Sequence, residues 1–234
     1  MSVDPGRDYA ARMLELFADD VWTDTRSAAF FGVECGSRMT IARMSNGGLF
    51  VHSPVGLDPE TRAAVDALGP VRAVVAPSLF HHLHVRAWMD AYPDAVYGAC
   101  PGLEWKRPDL AFTCVLADEP HAAWRGELAQ VYFSARRENE VVFFHERSRT
   151  LICADALLNL STVASARTRL LARAMGNTQP GFGWPERLMV RERRVARRQV
   201  DRILEWDTDK LVLSHGALVP ERGRDVFARA YTWL

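Results

Sequence analysis

Val71–His84 reads VRAVVAPSLFHHLH, and the fold turns on how this stretch is parsed. VRAVVA is a short, apolar, β-branched run and reads as a buried strand. Pro77 ends it, and a double histidine, His81-His82, follows in the loop it opens. Adjacent residues on a regular strand point to opposite faces, so both imidazoles can face one ion only from a loop. His84 adds a third imidazole close by. Two later segments repeat the pattern of an apolar run followed by a ligand-type residue. Asp155 follows LICA in TLICADALLNL (Thr150–Leu160), and His215 follows LVLS in LVLSHGAL (Leu211–Leu218). Taken singly, each has a structural explanation: a backbone-bonded histidine, or a helix-capping or turn aspartate. Taken together, they make a metal centre the leading hypothesis. Zn²⁺ or iron needs three or four N/O ligands converging from separate segments.

Working outward, the pattern predicts a helix over Asp8–Asp19 and strands over Phe30–Glu34, Met39–Met44 and Leu49–Ser53. SNGG at Ser45–Gly48 supplies a hairpin turn between the last two strands. Asp58-Pro59 reads as the N-cap and first position of a helix over Pro59–Leu68. A helix over Val85–Ala91 and a strand over Ala95–Tyr97 complete a βαβ unit with VRAVVA. Strands are expected at Val131–Phe133, Glu140–His145 and Thr150–Ala154, the last two joined by the turn Glu146–Arg149. Helices are expected at Thr162–Met175, Glu186–Trp206 and Glu221–Trp233, with a strand at Lys210–Ser214. The Gly/Pro-rich stretch Gly176–Pro185 reads as a surface loop, with Phe182 and Trp184 lining or covering a pocket. This order suits two mixed sheets between helices better than one doubly wound sheet. Residues 1–234 read as a single domain.

The chain has 29 basic and 29 acidic residues, which gives no electrostatic reason to expect a nucleic acid or a membrane as partner. The Arg-rich Arg187–Arg202 reads as a solvated amphipathic helix, with an anion- or partner-binding surface as the alternative. Cys35, Cys100, Cys114 and Cys153 form no CxxC pair and read as free thiols of a reducing compartment. No apolar run approaches membrane-spanning length. The expectation is a cytoplasmic protein with a small-molecule substrate. GxGxxG, Walker and GxSxG motifs are missing, and Ser53 beside His52 is a weak candidate nucleophile.

The order strand–HH, strand–D, strand–HG resembles the metallo-β-lactamase superfamily, which implies a four-layer αββα sandwich of two facing mixed sheets flanked by helices. A bacterial domain-of-unknown-function branch of that fold is resembled more closely, through SRMTIARMSNGGLFVHSPV (Ser37–Val55), APSLFHHLHVRAW (Ala76–Trp88) and HERSRTLICADALLNL (His145–Leu160). Laid on the superfamily's HxHxDH loop, the final DH falls on His81-His82 and the first two histidines fall on Pro77 and Leu79, which cannot ligate through side chains. The superfamily aspartate matches Asp155 and its last histidine His215. His121 and His145 lie between the loop and Asp155 without the context of the missing ligand. The resemblance therefore implies one mononuclear site made of His81, His82, Asp155 and His215. His82, Asp155 and His215 are the expected minimum, His81 comes next, and His84 is more remote. One transition metal ion is implied, Zn first and Fe or Mn next. The function implied is metal-dependent hydrolysis of a small ester, amide, lactone or phosphoester. The alternatives are a metal-dependent oxidoreductase and a non-catalytic scaffold that binds a ligand or protein partner.

Overall fold

The computed structural model describes residues 14–30, 33–134, 137, 139–160, 166–177 and 179–234. Its strands are β1 (Glu15–Ala18), β2 (Val21–Arg26), β3 (Ala29–Phe30), β4 (Val33–Glu34), β5 (Ser37–Arg43), β6 (Leu49–His52), β7 (Val71–Ala76), β8 (Val96–Ala99), β9 (Cys114–Val115), β10 (Leu128–Phe133), β11 (Glu140–His145), β12 (Thr150–Cys153) and β13 (Lys210–Leu213). The helices are α1 (Pro59–Leu68), α2 (Val85–Ala91), α3 (Leu103–Lys106), α4 (Ala166–Met175), α5 (Trp184–Leu188), α6 (Arg193–Leu204) and α7 (Gly223–Ala230). One mixed sheet runs β1-β2-β5-β6-β7-β8-β9, a second runs β10-β11-β12-β13, and β3 pairs with β4.

Strand alternation sets the layers. Phe50, Ala73 and Val75 of the first sheet share one core with Val141, Phe143, Ile152 and Val212 of the second. Their strand neighbours point outward. Leu49, Val51, Val74 and Ala76 pack with Val65 of α1, Val85 and Trp88 of α2 and Leu103 of α3. Val142, Phe144, Leu151, Leu211 and Leu213 pack with Ala196, Val200 and Ile203 of α6 and Phe227 of α7. A period of two on five strands thus yields helix, sheet, sheet, helix. Each buried aliphatic or aromatic side chain contributes roughly 1.5–3 kcal/mol. The sheets interlock through Phe50, whose ring lies 5.1 Å from that of Phe143 and 5.4 Å from that of Trp124.

The expected hairpin at Ser45–Gly48 joins antiparallel β5 and β6, and β6, β7 and β8 then run parallel. Asp58 caps α1, its carboxylate accepting from Thr61 N at 2.8 Å. Three expectations need correction. The single strand expected over Phe30–Glu34 is instead β3 and β4 paired antiparallel, with Phe30 opposite Val33 and residues 31–32 outside the described set. Within Asp8–Asp19, Glu15–Ala18 is strand, paired to β2 with Leu16 opposite Trp22, while residues 8–13 lie outside the described set. Adjacent Phe17 and Ala18 both meet the core, which a register shift between Leu16 and Ala18 permits, so pairing to β2 and not side-chain period makes this segment a strand. The long helix expected over Glu186–Trp206 is two helices, α5 and α6. Glu192 between them is extended, and both Val190 and Val195 reach the core behind the second sheet. Of the helix expected at Thr162–Met175, residues 162–165 lie outside the described set. Among the described residues no helix is long and apolar enough to cross a membrane.

Candidate metal centre

Parallel pairing brings two of the expected ligands together. Cys153 of β12 lies opposite Leu213 of β13, so Asp155 and His215, each two residues further on, leave the sheet at the same edge. His81 arrives from the other sheet. Val141 N donates to Pro77 O at 2.8 Å, and Ser78 bridges to Glu140, which ties the end of β7 to the start of β11. Three side-chain atoms converge as a result. His81 Nε2 and His215 Nε2 are 3.2 Å apart. Asp155 Oδ1 lies 3.5 Å from the first and 3.4 Å from the second. Neighbouring ligands on a tetrahedral Zn²⁺ with bonds of roughly 2.0–2.1 Å are about 3.3–3.4 Å apart, so the nearly equilateral triangle fits one transition metal ion.

The outer contacts aim these atoms. A carbonyl only accepts, so the 2.6 Å contact from His215 Nδ1 to Gly36 O puts the proton on Nδ1 and turns the Nε2 lone pair inward. His81 Nδ1 meets Ser53 Oγ at 2.5 Å. Ser78 Oγ donates to Asp155 Oδ2 at 2.8 Å. Glu140, only 1% exposed, accepts from Ala154 N at 2.6 Å and Asp155 N at 2.9 Å. Arg38 of β5 donates to Leu213 O and, at 2.8 Å, to Gly216 O, fixing the turn that carries His215.

The electrostatics agree. Burial disfavours charge on Asp155, yet the His81 charge and the hydrogen bonds from His215 and His81 hold its carboxyl well below the ordinary range. Burial likewise presses His215 down, but hydrogen bonding to Asp155 and Cys35, with their charges, raises it to about 10. Two imidazole nitrogens facing a carboxylate call for positive charge between them, supplied by protons in the metal-free protein or by a metal ion that displaces them.

The remaining histidines lie elsewhere. His82 does not join the triangle: its Nδ1 faces Arg107 Nη1 at 2.9 Å, and burial together with the Lys106 and Arg107 charges pushes it down to about 4. The expected ranking of His82 ahead of His81 is therefore reversed in space. Consecutive residues of the turn project differently, and only His81 reaches across to the second sheet. His84 opens α2 beside Gly56, His145 Nδ1 pairs with Ser148 Oγ at 2.7 Å, and the His121 ring packs 5.1 Å from that of Trp124. Ser53 is 2% exposed and sits at φ 55°, so it props the His81 ring and has no open path to a substrate. Phe182 is buried against Tyr231, whereas Trp184 is exposed, so the two do not share one pocket. Sequence reasoning passed over Ser78, Glu140 and Arg38. It also passed over His52 as a site neighbour. That imidazole is fully buried in the field of His81 and Asp155, and neither ring nitrogen has a hydrogen-bond partner among the described residues. Burial first, then the His81 charge, pushes it down to about 3 against the pull of Asp155.

Residues 18–179 match the family model described as Domain of unknown function (DUF4336). No curated protein matches by sequence. Among solved structures, the chain is similar to the DIM-1 metallo-β-lactamase, at 11% identity over 94% of each chain with a TM-score of 0.66. It is similar to the metallo-β-lactamase FIM-1 from Pseudomonas aeruginosa in its mono-zinc form, at 13% identity over 94% of each chain with a TM-score of 0.62. It is also similar to the Flv1 flavodiiron core from Synechocystis sp. PCC6803, at 12% identity over 94% of this chain and 60% of that one, with a TM-score of 0.64. At such identities the likeness is one of fold, and the four layers are those of the metallo-β-lactamase fold.

Proposed function

Since the chain belongs to the family described as Domain of unknown function (DUF4336), on a metallo-β-lactamase fold, we propose that it is a metal-dependent hydrolase with one transition metal ion held by His81, Asp155 and His215. The observation that carries this reading is the triangle of Nε2, Nε2 and Oδ1 atoms with sides of 3.2, 3.4 and 3.5 Å. When bound, the ion supplies a Lewis acid that makes water nucleophilic near neutral pH and polarises a carbonyl or phosphoryl oxygen. Three protein ligands, rather than the four expected from sequence, are the number that catalytic zinc sites use, because they leave a position for solvent or substrate. Ser53, Gly36, Ser78 and Glu140 hold the ligands in place. His82, accepting from Arg107 at Nδ1 when neutral, carries its proton on Nε2 and offers a donor on the loop that bears His81. The substrate class is a small ester, amide, lactone or phosphoester, and residues 1–234 act as one domain.

A second reading, a metal-dependent oxidoreductase, draws support from the ligand set itself. Two histidines and one carboxylate are also the set that non-haem iron(II) oxygenases use. Metal analysis of the purified protein, followed by chelation and reloading, tests both. The expected content is about one equivalent of Zn, Fe or Mn per chain, strongly lowered in Asp155→Ala and His215→Ala. Hydrolysis of an ester, lactone or phosphoester panel by the reloaded protein supports the first reading. Oxygen consumption by the iron-loaded form favours the second. Protein that takes up none of these ions, and gains no stability from them, sinks both.

A further inference from the structure

The balanced charge of the chain hides a separation. Residues 166–202 contain ten arginines and three acidic residues, a surplus of seven, while the other residues contain 19 basic against 26 acidic and carry the opposite seven. Contacts join the helices of this stretch in sequence. The end of α4 packs on the start of α5, where Asn177 Nδ2 donates to Glu186 Oε1 at 3.0 Å and Gly183 lies against Met175 O. Arg187 of α5 and Arg193 of α6 both lie over the Trp233 ring, at 5.4 and 5.6 Å. Helix α6 turns Ala196, Val200 and Ile203 inward. Arg194 and Arg198, four residues apart, therefore share its outward side.

Two features distinguish this surface from an ordinary solvated helix. Arg167, Arg173, Arg191, Arg194 and Arg198 are exposed and, among the described residues, have no carboxylate partner. Among them stand three large apolar side chains: Leu170 on α4, 68% exposed, and Trp184 and Leu188, four residues apart on α5, 62% and 72% exposed. Leu170 is flanked at three-residue spacing by Arg167 and Arg173. Unpaired arginines bind phosphate oxygens in a fork, and leucine with tryptophan enters the boundary between headgroups and acyl chains. A single-stranded nucleic acid would instead need aromatic platforms for its bases, and two of the three exposed side chains are aliphatic.

We propose that the face formed by α4, α5 and α6 docks on an anionic phospholipid surface. The inference is independent of the metal centre. It departs from the expectation drawn from overall charge, which averages two oppositely charged parts of the molecule.

Sedimentation of the full chain with phosphatidylcholine vesicles, with and without about 30 mol% phosphatidylglycerol, tests it. Anionic vesicles should bind at least about tenfold more protein than neutral ones at roughly 0.1 M salt, and raising the salt should weaken this. Arg191→Glu with Arg194→Glu and Arg198→Glu should remove the preference. Leu170→Ser with Trp184→Ser and Leu188→Ser should lower binding by about tenfold or more. All six residues are exposed, and an unchanged melting temperature would confirm that each variant folds. Independently of those variants, brominated lipid should quench part of the tryptophan fluorescence, and Trp184→Phe should lose that part. Equal binding to both vesicle types overturns the proposal. So does an apolar variant that binds like the parent, which would mean a purely electrostatic surface for an acidic protein. Tighter binding to an RNA or DNA oligomer than to anionic vesicles overturns it as well.

Discussion

His81 and His82 differ by one position, and the chain uses them for different tasks. His81 Nε2 faces the second sheet, while His82 Nδ1 faces a guanidinium. His81→Ala should therefore weaken binding of Zn²⁺ by at least about a hundredfold, through loss of one of three ligands, while His82→Ala should change it by less than about tenfold. A competitive chelator titration of both variants decides; the reverse order would refute the ligand set. Gly216 is a second residue whose identity the geometry dictates. It sits at φ 86°, and an added Cβ would fall 1.7 Å from Asn159 O. That contact is backbone, held by Asn159 N to His215 O and Ala217 N to Asn159 O, both 3.2 Å. Gly216→Ala should cost more than about 3 kcal/mol in urea unfolding, because left-handed strain adds to a clash that side-chain rotation cannot relieve. Asp155, His215 and the glycine could be read from sequence, since Asp155 directly follows LICA and His215-Gly216 follows LVLS. The histidine assignment could not. It depends on how a four-residue turn is oriented, and that is set by the tie from Val141 N to Pro77 O some 60 residues away in sequence.

Among elements, β11 has a role its sequence barely signals. EVVFFH begins with Glu140, and a carboxylate at the head of a wholly buried strand looks like a solvated edge residue until its partners are seen. It closes the turn after β12 by accepting from the backbone of Ala154 and Asp155. Removing it leaves two buried N–H groups unpaired at roughly 1–3 kcal/mol each. Glu140→Ala should thus lower stability by about 2–5 kcal/mol and metal affinity by about 10–100-fold. Glu140→Gln, keeping one acceptor oxygen, should fall between it and the parent. Loss of stability with metal affinity intact would confine Glu140 to the fold. Strands with clean alternation, such as β6, β7 and β11 to β13, are legible because one face of each meets the other sheet and the opposite face meets helices. β2 is not. VWTDTR carries polar residues on both faces, and the buried Asp24 is held by Arg26 at 2.7 Å, so its strand character comes from six paired residues of β5.

Over the whole molecule, the centre joins the sheets. His81 and its support Ser53 belong to the first, and Asp155 and His215 to the second, so the charge state of the site enters the stability of the sandwich. His215 is raised to about 10 by Asp155 and Cys35 despite its burial. An unfolded histidine titrates near 6.5. In metal-free protein the stability this residue contributes is fully present below about 6.5 and is lost as pH climbs through about 10. Asp155, held below its ordinary range, contributes above about 4, and that contribution is lost as pH falls. His52 and His82, held down to about 3 and about 4, contribute stability above about 6.5 that is lost as pH falls, so metal-free protein should be most stable near pH 6.5 and decline toward both pH 4 and pH 10. A metal ion must displace the His215 proton, so its apparent affinity should rise about tenfold per pH unit between roughly 7 and 9. Chelator competition across that range, paired with melting curves of the metal-free form, measures both slopes. In His215→Asn the alkaline decline should disappear together with metal binding, and persistence of the full decline would place its origin outside the centre.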